Sequence, residues 1–250
     1  MRRASAAFTA ALAAVAACGL PGCAPAEASP RTVTVFAAAS LTEVFAELED
    51  RFEAMHPGTD LVRVHGGSAE LAAAIREGAP ADVFASANER QMETIAPDQA
   101  APPRVFATNV LTMVVEPGNP LGLTRLADLE RDGVVSVLCA EQVPCGEAAK
   151  RLAAASGVTL SPASEEKSVT DVLGKVATGQ ADAGLVYVTD VARSALVEEV
   201  AIAGSEAVRH SYPIAVTGAG SAPDLGTDFV DLVLAEVGRE ALESHGFGLP

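Results

Sequence analysis

The sequence lacks the surplus of basic residues that a nucleic-acid-binding protein needs. Its 250 residues include 17 lysines and arginines against 33 aspartates and glutamates, which gives a formal net charge of −16 at pH 7. Because binding to nucleic acid requires a basic face that neutralises phosphates, we expect no nucleic-acid partner. The same negative field weakly repels small anions at long range, so any anion site must rely on short-range, fixed dipoles.

Recognisable catalytic motifs are also absent from the sequence. The stretch GGSAE at 66–70 places Glu70 where a G-x-S-x-G nucleophile elbow requires glycine. Neither a P-loop nor a dinucleotide fingerprint occurs. Metal-ligand spacing is missing among the four histidines, His56, His65, His210 and His245. The sequence therefore indicates no enzyme, and we assign no catalytic residue, no cofactor and no metal ion held by side chains.

The amino terminus has the pattern of a secretion signal. Arg2 and Arg3 precede an almost wholly apolar run at 4–17, and small residues follow that run. A run of this length is too short to span a bilayer comfortably, and the order of charge, apolar run and small residues is typical of signal peptides. We therefore expect an exported protein.

Two cysteines in this region are candidates for lipidation. Cys18 and Cys23 each follow a small apolar tripeptide like the one that precedes the lipidated cysteine of bacterial lipoproteins. We expect a lipoprotein signal peptide at 1–23 with Cys23 as the lipidated residue, and Cys18 is the alternative. Residues 24–30 would then form a linker. The protein would be periplasmic or at the cell surface, and anchored to the membrane by lipid.

The other two cysteines, Cys139 and Cys145, are close together in the sequence. In an oxidising compartment they are candidates for a disulfide bond, and Pro144 between them favours a turn that would let them meet. Two free, buried cysteines are the alternative.

Strands and helices alternate from residue 32 onward. Apolar, β-branched runs predict strands at 32–38, 60–66, 82–87, 111–116, 134–140, 183–188 and 212–218. Amphipathic stretches predict helices at 41–56, 69–78, 146–157, 169–179 and 229–247. Strands separated by helices favour an α/β fold with parallel sheets and crossover helices.

The order of the elements suggests two lobes joined by two chain crossings. A cluster of proline and glycine at 116–122 follows one long strand, and another strand appears far along the chain at 212–218. We predict that lobe 1 comprises 31–109 and 213–250, and that lobe 2 comprises 110–212.

Several predicted helices begin with small residues directly after a strand. These starts lie at Ser40, at Ser68, in the segment VPCGEAA at 143–149, and at Ser168 and Val169. Each presents unpaired N–H groups and a positive dipole end, which bind anions, at the edge of the sheet where ligands of α/β proteins sit. Glu43 would also complete an S-x-x-E capping box with Ser40. Any one of these serines is more often just a helix cap, so these residues alone do not assign an anion site.

Five segments, in this order along the chain, resemble the periplasmic molybdate-binding proteins of ABC importers. They are FAAASLTEVF (36–45), HGGSAELAAAI (65–75), APADVFASAN (79–88), VPCGEAA (143–149) and DAGLVYVTD (182–190). The resemblance implies a two-lobed periplasmic-binding-protein clamshell (type II), with a mixed sheet flanked by helices in each lobe. It further implies a monomer that binds molybdate or tungstate between its lobes and delivers it to an ABC permease in the cytoplasmic membrane.

The resemblance also implies which residues bind the oxyanion. Ser40 and Ser68 would each give a hydroxyl and a backbone N–H, and Tyr187 would give its hydroxyl. Cys145 and Val169 would each give a backbone N–H. Cys145 departs from the small residue that is common in the family, but the contact needs only its N–H. A bridge from Cys139 to Cys145 would stiffen that turn.

Such a set of neutral donors suits a dianion that carries no proton. Hydrogen bonds to a charged group contribute about 1.5–3 kcal/mol each, so several together offset the cost of dehydrating the ion. With no carboxylate to accept a proton, the site disfavours monohydrogen phosphate. Binding of another oxyanion such as sulfate stays open. So does a secreted serine hydrolase that uses Ser40 or Ser68 with His65, whereas the signal sequence argues against a regulator's sensing domain.

Overall fold

The computed structural model describes residues 31–250. The predicted signal peptide at 1–23, the linker at 24–30 and the lipidation candidates Cys18 and Cys23 therefore lie outside the described residues. From residue 31 to the last residue, no helix is both long enough and apolar enough to cross a membrane.

The described chain forms two five-stranded sheets. In chain order the strands are β1 (Arg31–Ala38), β2 (Thr59–Gly66), β3 (Val83–Ala85), β4 (Arg104–Asn109), β5 (Leu111–Val115), β6 (Ser136–Cys139), β7 (Ser164–Glu166), β8 (Ala183–Tyr187), β9 (Glu198–Val200) and β10 (His210–Val216). The first sheet has the order β2-β1-β3-β10-β4 and the second has the order β7-β6-β8-β5-β9. We call each sheet with its helices a lobe.

Helices connect the strands and cover both sheets. They are α1 (Thr42–Met55), α2 (Ser68–Arg76), α3 (Glu89–Thr94), α4 (Pro144–Ser156), α5 (Val169–Ala177), α6 (Val188–Val191), α7 (Pro223–Leu234) and α8 (Glu236–Ser244). The single helix predicted at 229–247 is wrong, because the chain is extended at Ala235 between α7 and α8. Gly238 allows α8 to pack close to that break, where an added Cβ would lie 2.3 Å from the carbonyl oxygen of Val233.

Both sheets are mixed. In the first sheet β1 runs parallel to β2 and β3, whereas β10 runs antiparallel to β3 and β4. In the second sheet β6 runs parallel to β7 and β8, whereas β5 runs antiparallel to β8 and β9. The crossover helices join the parallel strands, and the antiparallel strands are those that border the passages between the sheets. A mixed sheet in each lobe is the arrangement that the resemblance implied.

The chain passes between the two sheets at two adjacent places. It leaves the first sheet after Asn109 and re-enters it at His210, and these two residues are paired across β4 and β10. The predicted lobe boundary at residue 213 is therefore three residues late, because β10 already pairs with β4 from His210 onward.

Aromatic packing forms the core beneath the first sheet. Helix α1 buries Phe45 and Phe52 on one face, and both rings meet Phe229 of α7 edge-on at centroid distances of 5.6 and 5.5 Å. Phe106 of β4 completes the cluster at 6.0 Å from Phe45. This packing fixes α1 against the sheet and so fixes the turn that precedes α1.

Candidate functional site

The five residues predicted to bind an oxyanion line one small pocket between the lobes. Ser40 and Ser68 come from the first lobe, and Cys145, Val169 and Tyr187 come from the second. The pocket is partly open, and its volume is about 240 Å³ when the adjoining solvent space is included. Its other lining residues are Ala38, Ala39, Gly66, Gly67, Ala87, Pro144, Lys167 and Ser168. Four of the predicted ligands stand at or next to a helix start, and Tyr187 ends a strand, so the fold gathers carboxyl ends of strands from both sheets.

Ser40 lies in a short 3₁₀ turn, Ala39–Leu41, between β1 and α1. Its side chain is buried, and its Oγ lies 3.1 Å from the hydroxyl oxygen of Tyr212. The predicted capping box of Ser40 with Glu43 is wrong, because α1 begins only at Thr42 and its first turn has no side-chain cap. The 3₁₀ turn places the Ser40 hydroxyl between the pocket and Tyr212 instead.

Ser68 is the first residue of α2, and Gly67 precedes it at the cap position. The Ser68 Oγ accepts a hydrogen bond of 3.0 Å from the backbone N–H of Ala87. Gly67 is needed for the approach of the lobes, because an added Cβ there would lie 2.5 Å from the carbonyl oxygen of Lys167 in the second lobe. Ser68 is thus buried and anchored, and the residue before it lies against the opposite lobe.

Cys145 lies in the first turn of α4, directly after Pro144. It forms a disulfide bond with Cys139, the last residue of β6. The bond ties the end of the strand to the start of the helix. Gly146 belongs to the same tight turn, because an added Cβ would lie 1.9 Å from the carbonyl oxygen of Ala140.

Val169 is the first residue of α5. Its neighbour Ser168 caps this helix by accepting a hydrogen bond of 3.3 Å from the N–H of Asp171. The cap uses the Ser168 hydroxyl for one free N–H of the first turn. The N–H of Val169 itself has no helical partner by position, since the first residues of a helix lack one.

Tyr187 ends β8 and is 1% exposed, yet its hydroxyl has no hydrogen-bond partner among residues 31–250. A buried polar group without a partner costs about 1–3 kcal/mol, so such groups call for an explanation. Burial raises the pKa of Tyr187 well above its usual value, with the neighbouring Tyr212 and Asp190 adding to the shift. The hydroxyl therefore keeps its proton and remains a donor.

Tyr212 of β10 does not line the pocket but contacts the pocket residue Ser40, and the sequence analysis missed it. It stands behind Ser40, is 0% exposed, and its ring meets that of Tyr187 edge-on at a centroid distance of 5.8 Å. The chain has two tyrosines in all. Their scarcity, and the position of each on a predicted strand of a different lobe, was the signal available in the sequence.

Polar contacts between the lobes surround the pocket. Lys167 Nζ pairs with Glu70 Oε1 at 2.9 Å at the rim. On another side, Asn88 Nδ2 donates to Glu147 Oε2 at 2.6 Å, and on a third Arg193 donates to the Ala39 carbonyl oxygen at 3.1 Å. The structure thus shows the two lobes in contact around the pocket.

The pocket lining is almost free of formal charge. Lys167 is the one charged residue among the lining residues, and its ammonium group is engaged by Glu70 at the exposed rim. Nowhere in the described part of the chain do three or more histidine, cysteine or acidic side chains come together in a way that would hold a metal ion. The arrangement is one of neutral donors around a small space, which suits an anion rather than a cation.

Comparison with known proteins identifies the class to which this fold and pocket belong. Residues 33–248 match the model of the bacterial extracellular solute-binding protein family, and the chain belongs to that family. The molybdate-binding protein ModA of Mycobacterium tuberculosis (strain ATCC 25618 / H37Rv) is 44% identical to it, over 96% of this chain and 94% of the relative. ModA of Escherichia coli (strain K12) is 29% identical, over 86% of this chain and 88% of the relative.

Solved structures show the same fold. The periplasmic molybdate-binding protein of Azotobacter vinelandii matches with a TM-score of 0.73 at 20% identity, over 87% of this chain and 99% of that chain. The sulfate-binding protein SubI of Mycobacterium tuberculosis H37Rv matches with a TM-score of 0.73 at 18% identity, over 87% of this chain and 86% of that chain. The predicted family and the two-lobed α/β fold are confirmed. The relatives are binding proteins, which confirms that the chain is not an enzyme.

Proposed function

We propose that this chain is the extracytoplasmic binding component of an ABC importer that captures molybdate or tungstate. The ion would bind in the pocket between the lobes and be delivered to a permease in the cytoplasmic membrane. The observation that carries the proposal is the Tyr187 hydroxyl, a buried donor that lines the pocket and has no partner among the described residues. A tetrahedral oxyanion would supply the missing acceptor.

The other pocket residues complete a set of neutral donors. The Ser40 and Ser68 hydroxyls belong to the first lobe, and the N–H groups of Cys145 and Val169 belong to helix starts of the second. Hydrogen bonds to a charged acceptor contribute about 1.5–3 kcal/mol each. Because donors come from both lobes, a bound ion would hold the lobes together, which fits the contacts seen around the pocket.

The same donor set favours an ion without a proton. The lining contains no carboxylate that would accept a hydrogen bond from monohydrogen phosphate. A protonated oxyanion would place its O–H against donors, and that buried O–H would lack a partner. We therefore infer that molybdate, tungstate and sulfate are admitted in preference to monohydrogen phosphate.

Sulfate is the second candidate ligand. It is favoured by the likeness of the fold to a sulfate-binding protein with a TM-score of 0.73. The 44% identity to a molybdate-binding relative supports the larger ions instead. Sulfate has the same charge and shape as molybdate and tungstate but shorter bonds. The size of the pocket must therefore distinguish sulfate from the two larger ions.

The proposal also covers the cellular location, the membrane anchor and the oligomeric state of the protein. We propose a monomer that is lipid-anchored through Cys23, or through Cys18 as the alternative, and faces the periplasm or the cell exterior. The sequence pattern at 1–23 supports this. So does a Bacillus subtilis relative described as an ABC transporter substrate-binding lipoprotein, 26% identical over 86% of this chain.

Titration of the purified protein with molybdate, tungstate, sulfate and phosphate by calorimetry tests the proposal. Thermal melts run in parallel would show the same order, since a ligand at a hundredfold excess over its Kd adds about 2.7 kcal/mol to stability. We expect molybdate and tungstate to bind at least a hundredfold more tightly than sulfate. Sulfate binding of equal strength would favour the second candidate, and no heat with any of the four ions would overturn the function.

A further inference from the structure

We propose that Tyr212 is a positioning residue that turns the Ser40 hydroxyl proton toward the bound oxyanion. The inference rests on the proposed function and deepens it. It concerns how one ligand of the site is prepared before the ion arrives.

The geometry leaves two orientations for the bond between these hydroxyls. Ser40 Oγ and the Tyr212 hydroxyl oxygen lie 3.1 Å apart, and either atom is placed to donate. Both side chains are buried, and Tyr212 is 0% exposed. If Ser40 donated, the Tyr212 proton would be left only weaker contacts toward Tyr187 and Asn109, because the one hydrogen bond of good geometry that the described residues offer the Tyr212 hydroxyl is that with Ser40.

The opposite orientation satisfies both groups. When Tyr212 donates to Ser40 Oγ, the tyrosine proton is bonded and the serine proton is free to point into the pocket that Ser40 lines. A phenol is a stronger hydrogen-bond donor than an aliphatic alcohol. Burial raises the pKa of Tyr212 far above its usual value, so the donor stays protonated. Accepting a hydrogen bond also strengthens the Ser40 hydroxyl as a donor, because bonds in a chain polarise one another.

Ser68 shows the same arrangement with no ambiguity of direction. Its Oγ accepts from the backbone N–H of Ala87, and an amide N–H can only donate. The Ser68 proton is therefore left for a ligand. In both proposed serine ligands, Ser40 and Ser68, a protein donor then fills an acceptor position and the hydroxyl proton remains available. Tyr212 does for Ser40 what a backbone amide does for Ser68.

The surroundings hold the Tyr212 ring in place without its hydroxyl. The ring packs edge-on against Phe106, Phe247 and Tyr187 at centroid distances of 6.4, 5.6 and 5.8 Å. Tyr212→Phe keeps this packing and removes only the donor. It is therefore the matched variant for separating orientation from structure.

A double-mutant cycle tests the inference. The Kd for molybdate is measured by calorimetry for the wild type, Tyr212→Phe, Ser40→Ala and the double variant. We expect Tyr212→Phe to weaken binding about 2- to 13-fold, the equivalent of one hydrogen bond. In the Ser40→Ala background the same change should alter the Kd by less than about twofold, because its effect passes through the serine hydroxyl.

Tyr187→Phe serves as the comparison, because it removes a proposed direct ligand and should weaken binding in both backgrounds. Thermal melts of each variant without ligand report on folding separately. The inference is overturned if Tyr212→Phe binds molybdate like the wild type, or if its loss is equal with and without the Ser40 hydroxyl. A wild-type protein that binds none of the four oxyanions would instead overturn the proposed function, and that result precedes any variant.

Discussion

The Arg193 guanidinium donates a hydrogen bond to the carbonyl oxygen of Ala39 across 3.1 Å. Ala39 precedes Ser40 in the turn after β1, whereas Arg193 follows α6 in the second lobe. The same nitrogen of Arg193 lies 3.1 Å from Asp190 Oδ1 and 3.3 Å from Thr170 Oγ1. A single side chain thus joins the second lobe to the first-lobe wall of the pocket.

Arg193→Met should lower the free energy of unfolding by roughly 3 kcal/mol, because it leaves the fully buried carboxylate of Asp190 without its cation. Chemical denaturation measures this change. The double variant Asp190→Asn/Arg193→Met also removes the buried charge, so it should recover part of the loss. A double variant that is as unstable as the single one would show that the ion pair is not the cause.

Asp190 should make stability fall as the pH rises through the range from about 4 to 6. Its pKa is raised from the usual 3.8 to about 6, because burial disfavours the carboxylate more than Arg193 favours it. Between these values the native state binds more protons than the unfolded state, so unfolding becomes easier as the pH increases. Above about pH 6 the contribution is constant.

Denaturation of the wild type and of Asp190→Asn isolates this effect. It is measured from about pH 3.5 to about pH 7.5, so that the range includes the pKa of Asp190 in both the unfolded and the native state. The variant has no carboxyl group to titrate at that position. The stability of the wild type relative to the variant should therefore decline from about pH 4 to about pH 6 and then level off. Parallel curves across the whole range would contradict the raised pKa of Asp190.

Ser68→Ala should weaken molybdate binding by about 1.5–3 kcal/mol, since it removes one hydrogen bond to a charged ligand. It also leaves the Ala87 N–H without its acceptor, so the unliganded protein should melt at a lower temperature. Ser136→Ala is the control, because Ser136 is a buried serine of β6 that does not line the pocket. Equal Kd values for Ser68→Ala and the wild type would exclude the hydroxyl as a ligand.

Replacement of both bridged cysteines, Cys139→Ser with Cys145→Ser, should lower the free energy of unfolding by about 2 kcal/mol, as expected for a short disulfide loop. Binding of molybdate should also weaken, because the first turn of α4 loses its covalent tie to β6. Wild-type protein treated with dithiothreitol should match the double variant in denaturation midpoint and in Kd. Midpoints unaffected by both treatments would show that the bond contributes nothing to stability.

Local patterns identified most of the fold but not all of it. Long apolar runs marked β1, β2, β5, β6, β8 and β10, where burial forces alternation or continuity of hydrophobic residues. Strand β7 reads Ser-Glu-Glu and has no apolar residue, so it pairs with β6 through its backbone and leaves no hydrophobic signal. The break at Ala235 also leaves no signal in the sequence, because the hydrophobic pattern of α7 continues into α8.

The pocket was predictable only in part. The helix starts at Ser40, Ser68, Cys145 and Val169 were visible because small residues follow strands, and the structure brings all of them to one place. Their role as ligands remains a prediction. The contact between Ser40 and Tyr212 spans 172 residues of sequence, and it exists only because β10 returns to the first sheet. No local pattern encodes such a contact.

The pairing of Asn109 with His210 has a mechanical consequence. Both strands that connect the lobes run side by side at one edge of the first sheet, and one residue separates β4 from β5. Because the two connections are adjacent, they act as one hinge, and the second lobe can rotate relative to the first about the axis of that hinge. Admission of an ion then needs rotation of a few backbone torsions at that edge and the loss of the contacts that Arg193, Asn88 and Lys167 make between the lobes.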